Sequence, residues 1–447
     1  MAPSTRRHFL KRSLTTLALP TIVPASVFGM NAPSNRITMG CIGVGGMGTN
    51  NMMGFLNEKD VQVLAVADPE TGSKGYNHWY NNGGWLGREP AVERVNAFYA
   101  QKSPTARYRG CDGYNDFREL LARPEIDAVV IAAPDHWHAI PAIMAAKQGK
   151  DIYCEKPMTL TVAEGRAIVT AAQRYQVVFQ TGTHHRSADG HMRRVCELIR
   201  NGRIGRIKRV ISHLDPNNRT TTAQKGESMP IPEGFDYGMW LGPAPTIPYH
   251  RDSTHYSFRF VQDYSGGQTT NLGVHALDLV QWALGTDRAG PVEFDDLGAE
   301  YPSDGLFDTA TKVHFRARYA SGTELICETG NDKVIGRFEG TEGWIENTYS
   351  GFKIYPESLR DTVIGPNEIH LYRSDNHKRN FLDCIKTRGE TITPAEVGHR
   401  STSLCLLANI AMQLKRKLNW DPATERFTND DEANRLLAKP TRSPWHV

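Results

Sequence analysis

Three glycines, Gly43, Gly45 and Gly48, interrupt two apolar runs, residues 37–42 and 61–67, and an acidic residue, Asp68, closes the second run. This order constrains the chain more than any other feature. In a strand–turn–helix unit the first glycine permits the tight turn, the second admits a pyrophosphate to the backbone, and the third lets the helix pack on the sheet. Val44, Gly46 and Met47 complete the turn, and the helix amides that follow face phosphate. An acid about twenty residues on accepts hydrogen bonds from ribose hydroxyls and repels a 2′-phosphate, so Asp68 points to NAD rather than NADP.

The texture beyond this motif predicts two domains. Apolar strand runs at 127–133, 152–154 and 177–180 alternate with helical patterns at 92–101, 116–122, 140–147 and 163–175. Such alternation builds a doubly wound parallel sheet. From about residue 184 the runs become separated and β-like, at 207–213, 311–319, 324–328 and 336–339, with helices at 272–284 and 395–418 and then a polar tail. The prediction is a Rossmann α/β domain over 35–183 and an α+β domain, on a mostly antiparallel sheet, over 184–447. The stretch 72–90, rich in aromatic and amide side chains, reads as an insertion loop.

Residues 1–34 form a separate segment. Arg6-Arg7 precedes an uncharged, moderately apolar stretch from Ser13 to Val27, broken by Pro20 and Pro24. This resembles a twin-arginine export signal, and the stretch is too short and broken for a stable membrane span. Small residues at 27–29 and 30–32 offer two cleavage points. Export in the folded state, with cofactor already bound, follows. The 52 basic and 49 acidic residues nearly balance, so no nucleic-acid surface is expected. The seven cysteines are odd in number and scattered, which leaves no disulfide framework or zinc knuckle to read. The pairs His136/His138 and His184/His185 lack the spacing and third ligand of a metal site, so no metal is expected.

Two clusters carry chemistry. Ala133, Pro134 and His138 follow one sheet strand, and Glu155 with Lys156 follows the next, where open α/β sheets bind ligands. A lysine there polarises a substrate hydroxyl, and Glu155 either holds the lysine or touches the nicotinamide ribose. In the second domain Asn271, His275 and Asp278 fall on one helix face after Gly266-Gly267. His275 can take and return a proton near neutrality, and Asp278 is placed to fix its tautomer.

The glycine motif, Glu155-Lys156-Pro157 and the Gly-Gly-through-His-x-x-Asp segment together resemble the Gfo/Idh/MocA oxidoreductases. The resemblance implies a C-terminal domain whose large open sheet walls the active site, a sugar, cyclitol or polyol substrate, and a homo-oligomer, dimer or tetramer. It makes Lys156 and His275 catalytic and His138 a cofactor residue. It also places His184, His185, Arg186, Tyr256 and Arg259 in substrate-contacting segments. The family usually has aspartate where this chain has Asn271, and an amide accepts no proton at ordinary pH. The export signal, the Pro134-to-His138 run and Gly340-Thr341-Glu342-Gly343-Trp344 resemble an exported branch of that family. Three functions follow: an NAD-dependent sugar or polyol oxidoreductase; an NAD-dependent glycosidase working by oxidation, elimination, water addition and re-reduction; or a non-catalytic sugar- or cofactor-binding protein.

Overall fold

The computed structural model describes residues 36–76, 83–102, 107–187, 190–216, 220–332 and 334–447. The signal-like segment and residues 77–82 of the insertion loop lie outside it. The first sheet contains β1 (Ile37–Ile42), β2 (Val61–Ala67), β3 (Asp112–Tyr114), β4 (Ala128–Ile131), β5 (Asp151–Cys154) and β6 (Phe179–Thr181), in the order β3-β2-β1-β4-β5-β6. All pairs are parallel. Its central strands are buried on both faces, which is why they read as continuous apolar runs. The strand order reverses between β1 and β4, so the glycine turn and the β4 and β5 loops meet at one crevice. Gly43 takes φ +78°, and a Cβ on Gly48 would lie 1.8 Å from the Gly43 oxygen, so both positions require glycine.

The second sheet adds β7 (Ile207–Leu214), β8 (Glu293–Asp296), β9 (His314–Arg318), β10 (Glu324–Thr329), β11 (Val334–Gly340), β12 (Trp344–Thr348), β13 (Gly351–Tyr355), β14 (Leu418–Asp421) and β15 (Arg426–Phe427). Their order is β13-β12-β11-β7-β10-β9-β8-β14-β15. Only β7 with β10 is parallel, so the sheet is mixed and mostly antiparallel. The helices Gly190–Arg200, Gly273–Leu284 and Ala395–Leu414 contribute side chains to the core on one face. The other face carries cross-strand ion pairs, including Arg209–Glu339, Arg337–Glu346 and Arg316–Asp295.

Several elements differ from the sequence expectation. The helix expected at 272–284 forms as Gly273–Leu284, but a separate short helix, Gly267–Asn271, precedes it, so Asn271 does not share a helix with His275 and Asp278; the His275 amide bonds back to the Leu272 carbonyl at the junction. The last long helix stops at Leu414 because Lys415 turns left-handed, at φ 52°. The supposed polar tail then extends the sheet as β14 and β15. The helix expected to start at 92 starts at Arg88, inside the insertion stretch. The chain also returns to the first domain. Phe381, on the His377–Thr387 helix, packs against Phe55 and Tyr153, with ring centroids 6.2 and 5.8 Å away.

Candidate active site

The crevice at the carboxyl edge of the first sheet is lined by Gly43, Gly45, Gly46, Met47, Asp68, Ala133, Pro134, His138, Glu155 and Lys156, and across it by Tyr256 and Arg259. Asp68 is buried at the tip of β2. Its carboxylate accepts the Val44 amide at 2.8 Å and the Glu70 amide at 2.9 Å, which fixes its direction. Two amides leave about half of a carboxylate's acceptor sites free for ribose hydroxyls. Burial pushes this carboxyl up to about 6, against the pull of the two amides. The positive-φ turn at Gly43, the Gly48 contact and this oriented acid fit a dinucleotide. Val44 and Gly48 shape the turn from behind, outside the crevice lining.

Lys156 follows β5 and crosses to the second domain. Its Nζ donates to the Asn271 carbonyl oxygen at 2.7 Å and to Asn271 Oδ1 at 3.1 Å. Arg259 Nε donates to the same Oδ1 at 3.2 Å, while Asn271 Nδ2 donates to Gln268 Oε1 at 2.9 Å. Two donors to Oδ1 and one acceptor for Nδ2 fix the amide's orientation. Asn271 therefore positions the lysine as a carboxylate would, without adding negative charge. Burial, with the Arg259 charge as the second cause, lowers the Lys156 ammonium to about 8.

His275 stands beside this lysine, outside the crevice lining, in a group of three imidazoles. Its ring centroid is 5.0 Å from that of His184 and 4.6 Å from that of His185. Tyr349, between β12 and β13, closes on His185 at 5.1 Å. Burial, then the Lys156 charge, drives His275 well below the ordinary imidazole range, and burial lowers His185 to about 3. Both rings are neutral near pH 7. His275 Nδ1 is buried without a hydrogen-bond partner among the described residues.

Four expected roles change. Asp278 does not hold His275: its carboxylate accepts from Arg186 at 2.7 and 2.8 Å and from Ser401 at 2.6 Å, and both members of the ion pair are almost fully buried. Arg186 spends its remaining fork on Asp287 at 2.9 Å, so this pair braces the wall and neither member is free for substrate. His138 places Nδ1 2.7 Å from the Pro157 oxygen and Nε2 2.8 Å from the Ala133 oxygen, between the two strand-end loops, and a ring N–H donated to a carbonyl fastens them. Glu155 accepts from Asn51 Nδ2 at 2.7 Å and from the Lys156 backbone amide at 3.3 Å, not from the Lys156 ammonium. Sequence reasoning gave no role to Gln268 or Tyr349, and placed Tyr76 only in the aromatic insertion loop. Tyr76 packs on Gly45 and on the His255 ring at 4.4 Å. Gln268 lay in a segment already singled out, three residues before Asn271, whereas nothing local marks Tyr349.

Residues 37–183 match the oxidoreductase family's NAD-binding Rossmann fold, and residues 192–447 match the family's C-terminal alpha/beta domain. The chain belongs to the Gfo/Idh/MocA oxidoreductase family. It is an enzyme of that type, and the cofactor its Rossmann domain serves is NAD. Among individual relatives of the family, an alpha-N-acetylgalactosaminidase from Shewanella oneidensis is 32% identical over 191 residues, 38% of this chain and 37% of that protein. A myo-inositol 2-dehydrogenase from Thermotoga maritima is 24% identical over 288 residues, 61% of this chain and 72% of that protein. This Gfo/Idh/MocA chain thus spans under two fifths of the length of the galactosaminidase. In fold it resembles an aldose-aldose oxidoreductase from Caulobacter crescentus, with TM-score 0.58 and 18% identity over 86% of this chain and 99% of that one.

Proposed function

We propose that this protein acts on a hydroxyl of a sugar or polyol, with Lys156 polarising the oxygen and His275 moving the proton. The observation that carries the reading is the fixed Lys156 ammonium, held by Asn271 at the end of the dinucleotide crevice beside a neutral His275 whose Nδ1 has no hydrogen-bond partner among the described residues. Bound NAD supplies a hydride acceptor. The glycine turn receives the pyrophosphate and Asp68 the adenosine ribose. Lys156 donates a hydrogen bond to the reacting oxygen and stabilises the alkoxide. His275 is neutral near pH 7 and accepts the hydroxyl proton.

A second reading, redox-neutral glycoside cleavage in which the cofactor returns to its starting state, draws support from the alpha-N-acetylgalactosaminidase relative. Purified protein is denatured and its released NAD assayed; native protein is then given free sugars and glycosides without added cofactor. NADH formed with a free sugar supports the dehydrogenase. Glycoside cleavage without net NADH supports the glycosidase, and absence of NAD binding sinks both. In either case Lys156→Met lowers kcat by about 10²–10⁴-fold, the range for a positioned acid–base or polarising group.

Export through the twin-arginine route is part of this proposal, supported by Arg6-Arg7 and the uncharged stretch after it. Cell fractionation with and without a working twin-arginine system tests it. Self-association through the large sheet is also proposed. Support comes from its charged outer face and from Tyr355, 59% exposed and stacked on Trp344 at 6.5 Å. Light scattering that finds only monomer overturns it.

A further inference from the structure

Two cations, Lys156 and Arg259, converge on one neutral acceptor. Asn271 Oδ1 receives both, and neither makes an ion pair with a carboxylate among the described residues. Arg259 is held rigidly: Nη1 donates to the Tyr256 carbonyl at 2.9 Å, and the guanidinium lies 4.6 and 4.7 Å from the Tyr256 and Phe258 ring centroids. Its Nη2 makes no hydrogen bond to a described residue, and the residue lines the crevice.

The acids that share this crevice wall are committed elsewhere. Glu155 is bonded to Asn51 and to a backbone amide, and Asp135 accepts the Ser265 hydroxyl at 2.5 Å. Burial raises the Asp135 carboxyl, against the pull of the His138, Arg259 and Lys156 charges and the Ser265 hydroxyl. A half-buried guanidinium with a free end, next to a second cation and in ion-pair contact with no carboxylate among the described residues, is placed to receive an anion. The histidines on the adjoining wall are neutral and supply none.

We propose that the sugar acted on is anionic, a uronate or a sulfated sugar, and that Arg259 receives its charged group while Lys156 engages the neighbouring hydroxyl. This inference rests on the carbohydrate reading above and narrows its substrate class. A planar guanidinium fork matches a carboxylate with two parallel hydrogen bonds, which gives orientation as well as attraction.

The test uses the NAD-loaded protein and matched substrates: 4-nitrophenyl glucosides and galactosides in both anomers, the corresponding uronides, and their 6-sulfates. Binding of the parent methyl glycosides is measured in parallel by calorimetry. The expected result is a kcat/KM and affinity for one anionic series at least ten-fold above the neutral series, uronide and sulfate arms telling the two sources apart. Arg259→Gln reduces the anionic-to-neutral ratio by about 30-fold or more, and Arg259→Lys restores part of it. Equal or better use of neutral sugars overturns the inference and leaves the carbohydrate reading standing. A ratio unchanged by Arg259→Gln, with NAD now lost on purification, assigns the guanidinium to the cofactor's phosphates and also overturns it. Absence of turnover and binding in every series overturns the inference, and the released-NAD and free-sugar assay then decides the carbohydrate reading separately.

Discussion

Asn271 shows how much one functional group can change while a geometry is kept. Its two oxygens hold the Lys156 ammonium, yet it brings no charge, so the Arg259 charge adds to burial in lowering Lys156 to about 8. Asn271→Asp tests this directly. A carboxylate within hydrogen-bond reach favours the ammonium and raises its pKa by about 1–3. Because the ammonium is the polarising form, kcat/KM in the parent protein falls as pH rises through about 8. In Asn271→Asp that fall moves to higher pH, and full pH–rate profiles of both proteins check it. An unmoved alkaline limb would remove Lys156 as its source. The sequence named Lys156, Asn271 and His275 together, but it put Asp278 on His275. Spacing gives which residues share a helix face; it does not give the partner brought in from another segment, here Arg186.

At the scale of elements, the Arg186–Asp278 pair joins the loop after β6 to the Gly273–Leu284 helix, with Ser401 of the Ala395–Leu414 helix as third contact. The pair is 2% and 1% exposed. Removing one charge leaves the other buried and uncompensated, which costs about 3–5 kcal/mol. Arg186→Met is therefore expected to lower the denaturant midpoint substantially, and Arg186→Met with Asp278→Leu to recover most of the loss, because two apolar groups need no counter-charge. Equilibrium unfolding of the three proteins is the measurement; a single substitution that leaves stability untouched while abolishing turnover would return Arg186 to the substrate. The break at Leu272 belongs to this scale too. The apolar period over 272–284 is realised in the Gly273–Leu284 helix, whereas the polar face expected to join Asn271 to His275 is interrupted at Leu272, between two helices.

Across the whole molecule the C-terminal segment is a fastening between domains. Trp445 enters the first domain's core, with its ring 4.8 Å from Trp137 and 6.2 Å from Phe117, while Arg442 donates to the Gly238 and Gly242 oxygens. Trp137 follows β4 in the segment that leads to His138, so this contact supports one wall of the crevice. Trp445→Ala is expected to cost about 3–5 kcal/mol, the usual loss for a buried aromatic, and to weaken NAD retention; thermal unfolding and NAD content after purification report both. The sequence by itself determined the Rossmann domain and its cofactor, because strand, glycine turn and terminal acid lie within one local unit whose backbone requirements are written in residue type. It also named the lysine and histidine. The tertiary structure decided what those residues touch, the sheet's late strands β14 and β15, and the return of residues 377–387 and 445 to the first domain. Those features depend on contacts between segments far apart in the chain, and residue spacing carries no information about such meetings.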